Sequence, residues 1–235
     1  YVMCGKGLES EQVNKTESFC IKYNAAGGTS WAWKSNTPGK ADAANAVANI
    51  GVNATEVAVV GWKTMAGSTG SRYITKLSVA TGVEVWTMDE FGDSAEKTSF
   101  YEMIEVSGDA VYLAGGINKD NTEEMSFKSY GNVAGGQAHV ERMPLSALQG
   151  ASKPAKEVIA WTYTDATYLT AKAARPVNGG KLAVLLYGET KDKHATAVIL
   201  NATSGAVTKS AQNYDAQGEG TDLQASLDGA SAVIA

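Results

Sequence analysis

The sequence is poor in the residues on which most arguments from motifs rest. It has two cysteines, two histidines and four prolines in 235 residues. Two histidines, His139 and His194, with no metal-type spacing to each other or to cysteine, leave no zinc-ligand pattern. Gly-x-Ser-x-Gly, His-Glu-x-x-His and P-loop motifs are all missing, so the common hydrolase and nucleotide-binding constellations are excluded. Basic residues do not dominate: 20 Lys and Arg face 25 Asp and Glu. A net charge of −5 is the wrong balance for general nucleic-acid binding. Apolar runs such as Val57-Ala58-Val59-Val60 are far short of the ~20 residues that cross a bilayer as a helix. Little proline beside 25 glycines suits a regular β protein with many tight turns better than a disordered chain. The first residues, Tyr1 to Gly5, lack the basic start and apolar run of a signal peptide and read as the middle of a strand. The last, Ser231 to Ala235, read as another. The expectation is an internal piece of a longer protein, so a missing signal does not argue against secretion.

What the sequence does contain is self-similarity. Tyr73–Trp86 (YITKLSVATGVEVW) aligns with Phe19–Trp31, with Lys76 on Lys22, Leu77 on Tyr23 and Gly82 on Gly28. In Ala197–Val207, Leu200 and Gly205 fall on Leu77 and Gly82. A looser copy runs from His139 to Trp161, its turn enlarged between Pro144 and Lys156, with Val158 to Trp161 as the following strand. A short apolar strand recurs between these copies, near 1–5, 56–61, 110–115, 181–188 and 231–235. Turn residues precede most copies, and before each turn lies one more strand: Ala46–Ile50, Tyr101–Val106, Leu169–Ala174 and Leu223–Leu227. Each unit reads as four antiparallel strands recurring every ~50–60 residues, the signature of propeller blades. The expected fold is all-β, a β-propeller of which about four blades are present, in one repeat domain over 1–235. Two tandem β-sandwiches would need as many strands but leave the recurrence unexplained. Trp31, Trp86 and Trp161, at strand ends, are read as wedge fillers between blades.

The unit Lys-Leu-x-x-x-Thr-Gly-x-x-x-Trp, followed by a strand, a Gly-Asp turn and Val-Tyr-Leu-Ala-Gly, resembles the quinoprotein-type (PQQ-like) propeller repeat of secreted and cell-surface proteins. The resemblance covers nearly the whole chain. It implies blades, but hosts many functions. A quinone-dependent dehydrogenase would need a cofactor-stacking Trp, a Ca²⁺ site and a catalytic Asp, which cannot be placed here, so no catalytic residue, cofactor or metal site is assigned.

Candidate sites are few. Cys4 ends one apolar strand and Cys20 begins its antiparallel neighbour, so the two can meet across one rung as a disulfide. Asn14, Asn53 and Asn201 head N-glycosylation sequons in expected loops or turns. The long connection Gly116–Ala138 carries Met125, Phe127 and Tyr130, read as a candidate interface loop. His139 and His194 are placed near the surface, Gly115-Gly116 and Gly179-Gly180 in hairpins or loops, and Trp62 at a loop tip. The expected role is a non-enzymatic extracellular or cell-surface module, structural or protein-interacting. Its partners would be other protein chains or further blades, with glycans a further option and nucleic acid excluded. The alternatives are a quinoprotein-like enzyme with its active site outside this stretch, and a carbohydrate-binding propeller.

Overall fold

Apolar strands punctuated by Asn, Asp and Gly turns fold as meanders, because each turn returns the chain beside the strand it has just left. The computed structural model describes residues 1–10, 15–35, 41–64, 70–89, 98–118, 136–188, 196–213, 223–225 and 232–234. Its strands form five antiparallel sheets, each built from strands consecutive in sequence. The first holds β1 (Val2–Ser10), β2 (Lys15–Tyr23) and β3 (Thr29–Lys34). The second holds β4 (Asp42–Asn49), β5 (Glu56–Lys63), β6 (Ser71–Ser78) and β7 (Glu84–Met88). The third holds β8 (Thr98–Ser107), β9 (Ala110–Asn118), β10 (Gln137–Pro144) and β11 (Trp161–Asp165). The fourth holds β12 (Thr170–Val177), β13 (Lys181–Tyr187), β14 (Thr196–Asn201) and β15 (Val207–Asn213). β16 (Leu223–Ala225) pairs with β17 (Ala232–Ile234).

The sheets stack in sequence order. β4 packs on β1 and β2, β8 on β4, β5 and β6, and β12 on β8, β9 and β10. Apolar clusters fill the three gaps between the first four sheets. The architecture is all-β and propeller-like, and one meander per sheet excludes the sandwich alternative.

The repeat motif is an inter-blade lock. Trp31 Nε1 and Lys22 Nζ both donate to the Val79 carbonyl of the next blade, each at 2.9 Å. Trp86 Nε1 and Lys76 Nζ both donate to the Gly150 carbonyl, each at 3.1 Å. Trp161 Nε1 donates to the Ala202 carbonyl at 3.2 Å. Two of the receiving turns hold a left-handed glycine, Gly82 and Gly205, both at φ 73°. A Cβ there would meet the Trp31 or Trp161 ring at 2.6 or 2.7 Å. Glycine is thus required twice over, for its backbone conformation and for the indole seated on it.

Several expectations change. The left-handed glycine of the first blade is Gly27, not the aligned Gly28, because its turn is one residue shorter. The enlarged third turn contains a short helix, α1 (Leu145–Gln149), and a 3₁₀ turn at Lys156–Val158. The fourth strand of that blade therefore begins at Trp161 rather than Val158. Gly115 and Gly116 lie inside β9, not in a hairpin. A Cβ on Gly115 would meet the Phe100 carbonyl at 2.0 Å, so glycine admits the neighbouring strand. Gly179 and Gly180 are turn residues with positive φ.

Candidate functional site

Trp33 near the end of β3, Ser35 after it and Asp42 at the start of β4 flank the junction of the first two blades. With Lys63, Tyr73, Thr75, Glu84 and Thr87 of the second blade they line a cleft of about 150 Å³. Alternation along the strands places them: Thr75 and Thr87 are direct rung partners on β6 and β7, and their side chains share one face. Their hydroxyls lie 2.7 Å apart, and Thr87 Oγ1 donates to Glu84 Oε1 at 2.7 Å. Asp42 is buried and anchored: the Ser18 backbone N–H donates to Oδ1, and Ser35 Oγ donates to Oδ2 at 2.7 Å. The Tyr73 hydroxyl lies 2.9 Å from Ser18 Oγ. Burial, with the nearby Asp42 and Glu84 charges, pushes the Tyr73 phenol far above its ordinary value, against the opposing Ser18 hydrogen bond. It stays a neutral donor at any physiological pH. Lys63 is paired with Asp89 at the rim.

The cleft combines an indole, a phenol, two carboxylates and several hydroxyls. Indole faces pack against apolar C–H surfaces. Carboxylates accept from ligand hydroxyls, and Ser, Thr and Tyr both donate and accept. Such a lining suits a small polyhydroxylated ligand held by a few convergent polar groups.

A second polar cluster sits between the second and third blades. Arg72, Tyr101, His139 and Glu141 are all within 3 % of complete burial. Arg72 Nη2 donates to Glu141 Oε1 at 3.0 Å, the Tyr101 hydroxyl donates to Oε2 at 2.5 Å, and His139 Nε2 lies 2.8 Å from Oε1. Burial alone would raise the Glu141 pKa. Arg72, His139 and the Tyr101 hydrogen bond outweigh it and hold the carboxyl down at about 2. Its burial makes this a structural network rather than a ligand site. His139 is therefore a buried member of it and not a surface residue.

The other predicted residues are scattered. Cys4 and Cys20 are rung partners on β1 and β2, bridged as a disulfide with Cα atoms 4.1 Å apart. Asn53 is exposed at φ 56° in the 3₁₀ turn between β4 and β5. Asn201 ends β14, with Oδ1 accepting from the Thr203 and Ser204 backbone N–H groups. Trp62 is fully buried in β5, not at a loop tip. Asn14, His194, Met125, Phe127 and Tyr130 lie outside the described residues. The cleft residues were missed by sequence reasoning: Tyr73, Thr75 and Glu84 fall within the repeat unit but at positions whose residue types its copies do not share, and the others lie outside it. One signal existed: Trp33 follows the lock residue Trp31 by two, on the same strand face.

No protein-family model and no curated protein sequence matches the chain. Among solved structures it is similar to sucrose-6-phosphate hydrolase from Lactobacillus gasseri, at 10 % identity and a TM-score of 0.42, over 92 % of this chain and 50 % of that one. It is also similar to a GH32 beta-fructofuranosidase from Bombyx mori, at 11 % identity and a TM-score of 0.38, over 86 % of this chain and 47 % of that one. The chain thus spans about half the length of these structures. At this level of similarity no residue is carried over from them. The expectation of a non-enzymatic structural or protein-interaction module is nevertheless corrected: the similar structures are carbohydrate hydrolases by name.

Proposed function

We propose that the chain is a carbohydrate-binding propeller whose site is the cleft between the first two blades. The observation that carries this reading is the lining itself, an indole beside Asp42, Glu84, Tyr73 and paired threonine hydroxyls. The small volume favours one sugar residue, gripped by its hydroxyls with one face against Trp33. Trp62 is fully buried and cannot serve this role. Screening immobilised glycans and then titrating the best one calorimetrically tests it. Trp33→Ala and Glu84→Gln should each weaken binding by about tenfold or more, the loss of roughly one good contact, without moving the unfolding temperature by more than a few degrees. Binding that is absent from the wild type, or unchanged in both variants, overturns the proposal.

The quinoprotein-type repeat stays part of this reading as a mode of blade construction. Gly82 and Trp86, which carry that resemblance, take part in the lock. The disulfide further supports an oxidising, extracellular setting. No helix among the described residues is long and apolar enough to cross a membrane. In such a setting Asn53 and Asn201 would carry N-glycans. Asn53 is exposed, and the Asn201 turn bonds use Oδ1 and leave the reactive Nδ2 uncommitted in them. Peptide mass spectrometry of protein from a eukaryotic secretory host should find hexosamine-containing mass at both, and unmodified asparagines would remove glycosylation from this reading.

A further inference from the structure

Successive blades repeat the same rungs, so the first two gaps between blades correspond position by position. Gly5 pairs with Phe19, Gly61 with Tyr73 and Gly115 with His139. Lys22 pairs with Trp31 as Lys76 pairs with Trp86. Ser18 on β2 therefore stands where Arg72 stands on β6. Tyr73 and Thr75 on β6 stand where His139 and Glu141 stand on β10. Ala44 faces Gly61 and Tyr101 faces Gly115, each just before a bulge, so Asp42 on β4 stands where Ser99 stands on β8. One hydrogen bond repeats in this register. The Ser18 backbone N–H donates to Asp42 Oδ1, and the Arg72 backbone N–H donates to Ser99 Oγ at 3.2 Å.

The two gaps differ in how their charge is closed. In the second, the Glu141 carboxylate meets the Arg72 guanidinium, and both are buried. In the first, Thr75 and Ser18 stand in place of that pair, and Thr75 lines the cleft. Asp42 brings a carboxylate where the second gap has a hydroxyl. It is 1 % exposed, and its hydrogen-bond donors are a backbone N–H and the Ser35 hydroxyl, neither of them charged. A buried carboxylate is stabilised most by a full opposite charge. Glu84 adds a second carboxylate to the same lining. The fields of the two converge, since both raise the Tyr73 phenol. Lys63 is the rung partner of Asp42, but its ammonium pairs with Asp89 at the rim. Lys34 lies on the opposite face of β3 from Trp33 and Ser35 and pairs with Glu17. Asp42, Glu84 and Asp89 thus outnumber the one cation of the described lining.

We propose that the sugar held in this cleft is an amino sugar with a free ammonium group, which supplies the cation that Arg72 supplies in the second gap. The inference rests on the carbohydrate reading and narrows it. Asp42 and Glu84 accept charge-assisted hydrogen bonds from the ammonium, and the indole of Trp33 attracts a cation through its negative face. The Thr75, Thr87 and Tyr73 hydroxyls can each make a further hydrogen bond to the ring hydroxyls.

The test is calorimetric titration of the whole chain with 2-amino-2-deoxyhexoses of gluco, galacto and manno configuration, each beside its N-acetylated form and its parent hexose. At least one free amino sugar should bind about tenfold or more tightly than both of its counterparts, the gain from a charge-assisted contact. Asp42→Asn and Glu84→Gln should each lower that ratio towards one, because an amide keeps the shape and loses the charge. An amide oxygen at position 42 still accepts from the Ser18 N–H, and Glu84 is exposed on β7, so unfolding temperatures should confirm that both variants fold. Equal affinity for the amino sugar and its parent hexose overturns this inference and leaves the carbohydrate reading standing. So does an unchanged ratio in both variants, or no binding of any of these sugars where the glycan screen finds a ligand. Butylamine bound as tightly as the amino sugar would show that the cleft takes an amine without a sugar, which overturns both. No sugar bound here or in the glycan screen overturns both as well.

Discussion

Arg72→Ala should destabilise the protein by about 3–5 kcal/mol, the cost of leaving a buried charge without its partner. Glu141 is 1 % exposed and its Oε1 accepts from Arg72 at 3.0 Å. Without the guanidinium, the carboxylate keeps Tyr101 and His139 but loses the Arg72 charge in a buried gap between blades. Chemical denaturation measures the effect. A control separates charge from packing: Arg72→Met with Glu141→Leu removes both charges and should recover a good part of the loss, because an apolar pair of similar volume needs no desolvation. If the single and double variants are equally unstable, packing rather than charge is what Arg72 supplies.

The same network sets an acid limit. The Glu141 pKa falls from 4.5 to about 2 on folding, so its contribution is complete above pH 4.5 and is lost as pH falls towards 2. A shift of this size corresponds to roughly 3 kcal/mol. Stability should therefore decline between about pH 4.5 and 2, and the decline should shrink in the Arg72→Met/Glu141→Leu chain. At the alkaline end the sign is opposite. Tyr101, raised by burial and then by Glu141, keeps its proton when folded, so stability falls once pH rises past the ordinary phenol value of 10.0.

Trp86→Ala should cost a further large amount, about 3–5 kcal/mol, typical of a buried tryptophan truncated to alanine. Trp86 is 7 % exposed, packs with Met88, Met143 and Leu148, and donates to the Gly150 carbonyl. Removing it opens a cavity and strips one of two donors from that carbonyl. Trp86→Phe should restore much of the packing and leave a deficit of about 1 kcal/mol, that of one hydrogen bond. Thermal unfolding of the three proteins decides. A phenylalanine variant no better than alanine would show that the hydrogen bond, not the volume, holds the blades.

Much of the blade was readable in advance because its causes are local. Alternating apolar strands, Gly82 and Gly205 at left-handed turns and the placement of Cys4 opposite Cys20 all follow from short-range geometry and a repeat that states each rule more than once. The shorter first turn and the α1 insertion departed from the repeat because loop conformation depends on residues the alignment does not equate. His139 and Trp62 were misplaced for another reason. Each looks like a surface or loop-tip residue by type, and only its rung position inside a covered strand buries it.

The meander, the period and the lock residues were therefore determined by the sequence alone, since nearest-neighbour strand pairing needs only turns and alternation. The cleft and the Arg72–Glu141 network were decided by tertiary structure. Trp33 and Glu84 lie 51 positions apart and Arg72 and Glu141 lie 69 apart, and no motif links either pair. They meet because sheets stack with a fixed offset, and that offset comes from Trp31 seating on Gly82 and from β8 packing across the face of the second blade. Chemistry in this protein arises between blades, where the repeat repeats its framework but not its side chains.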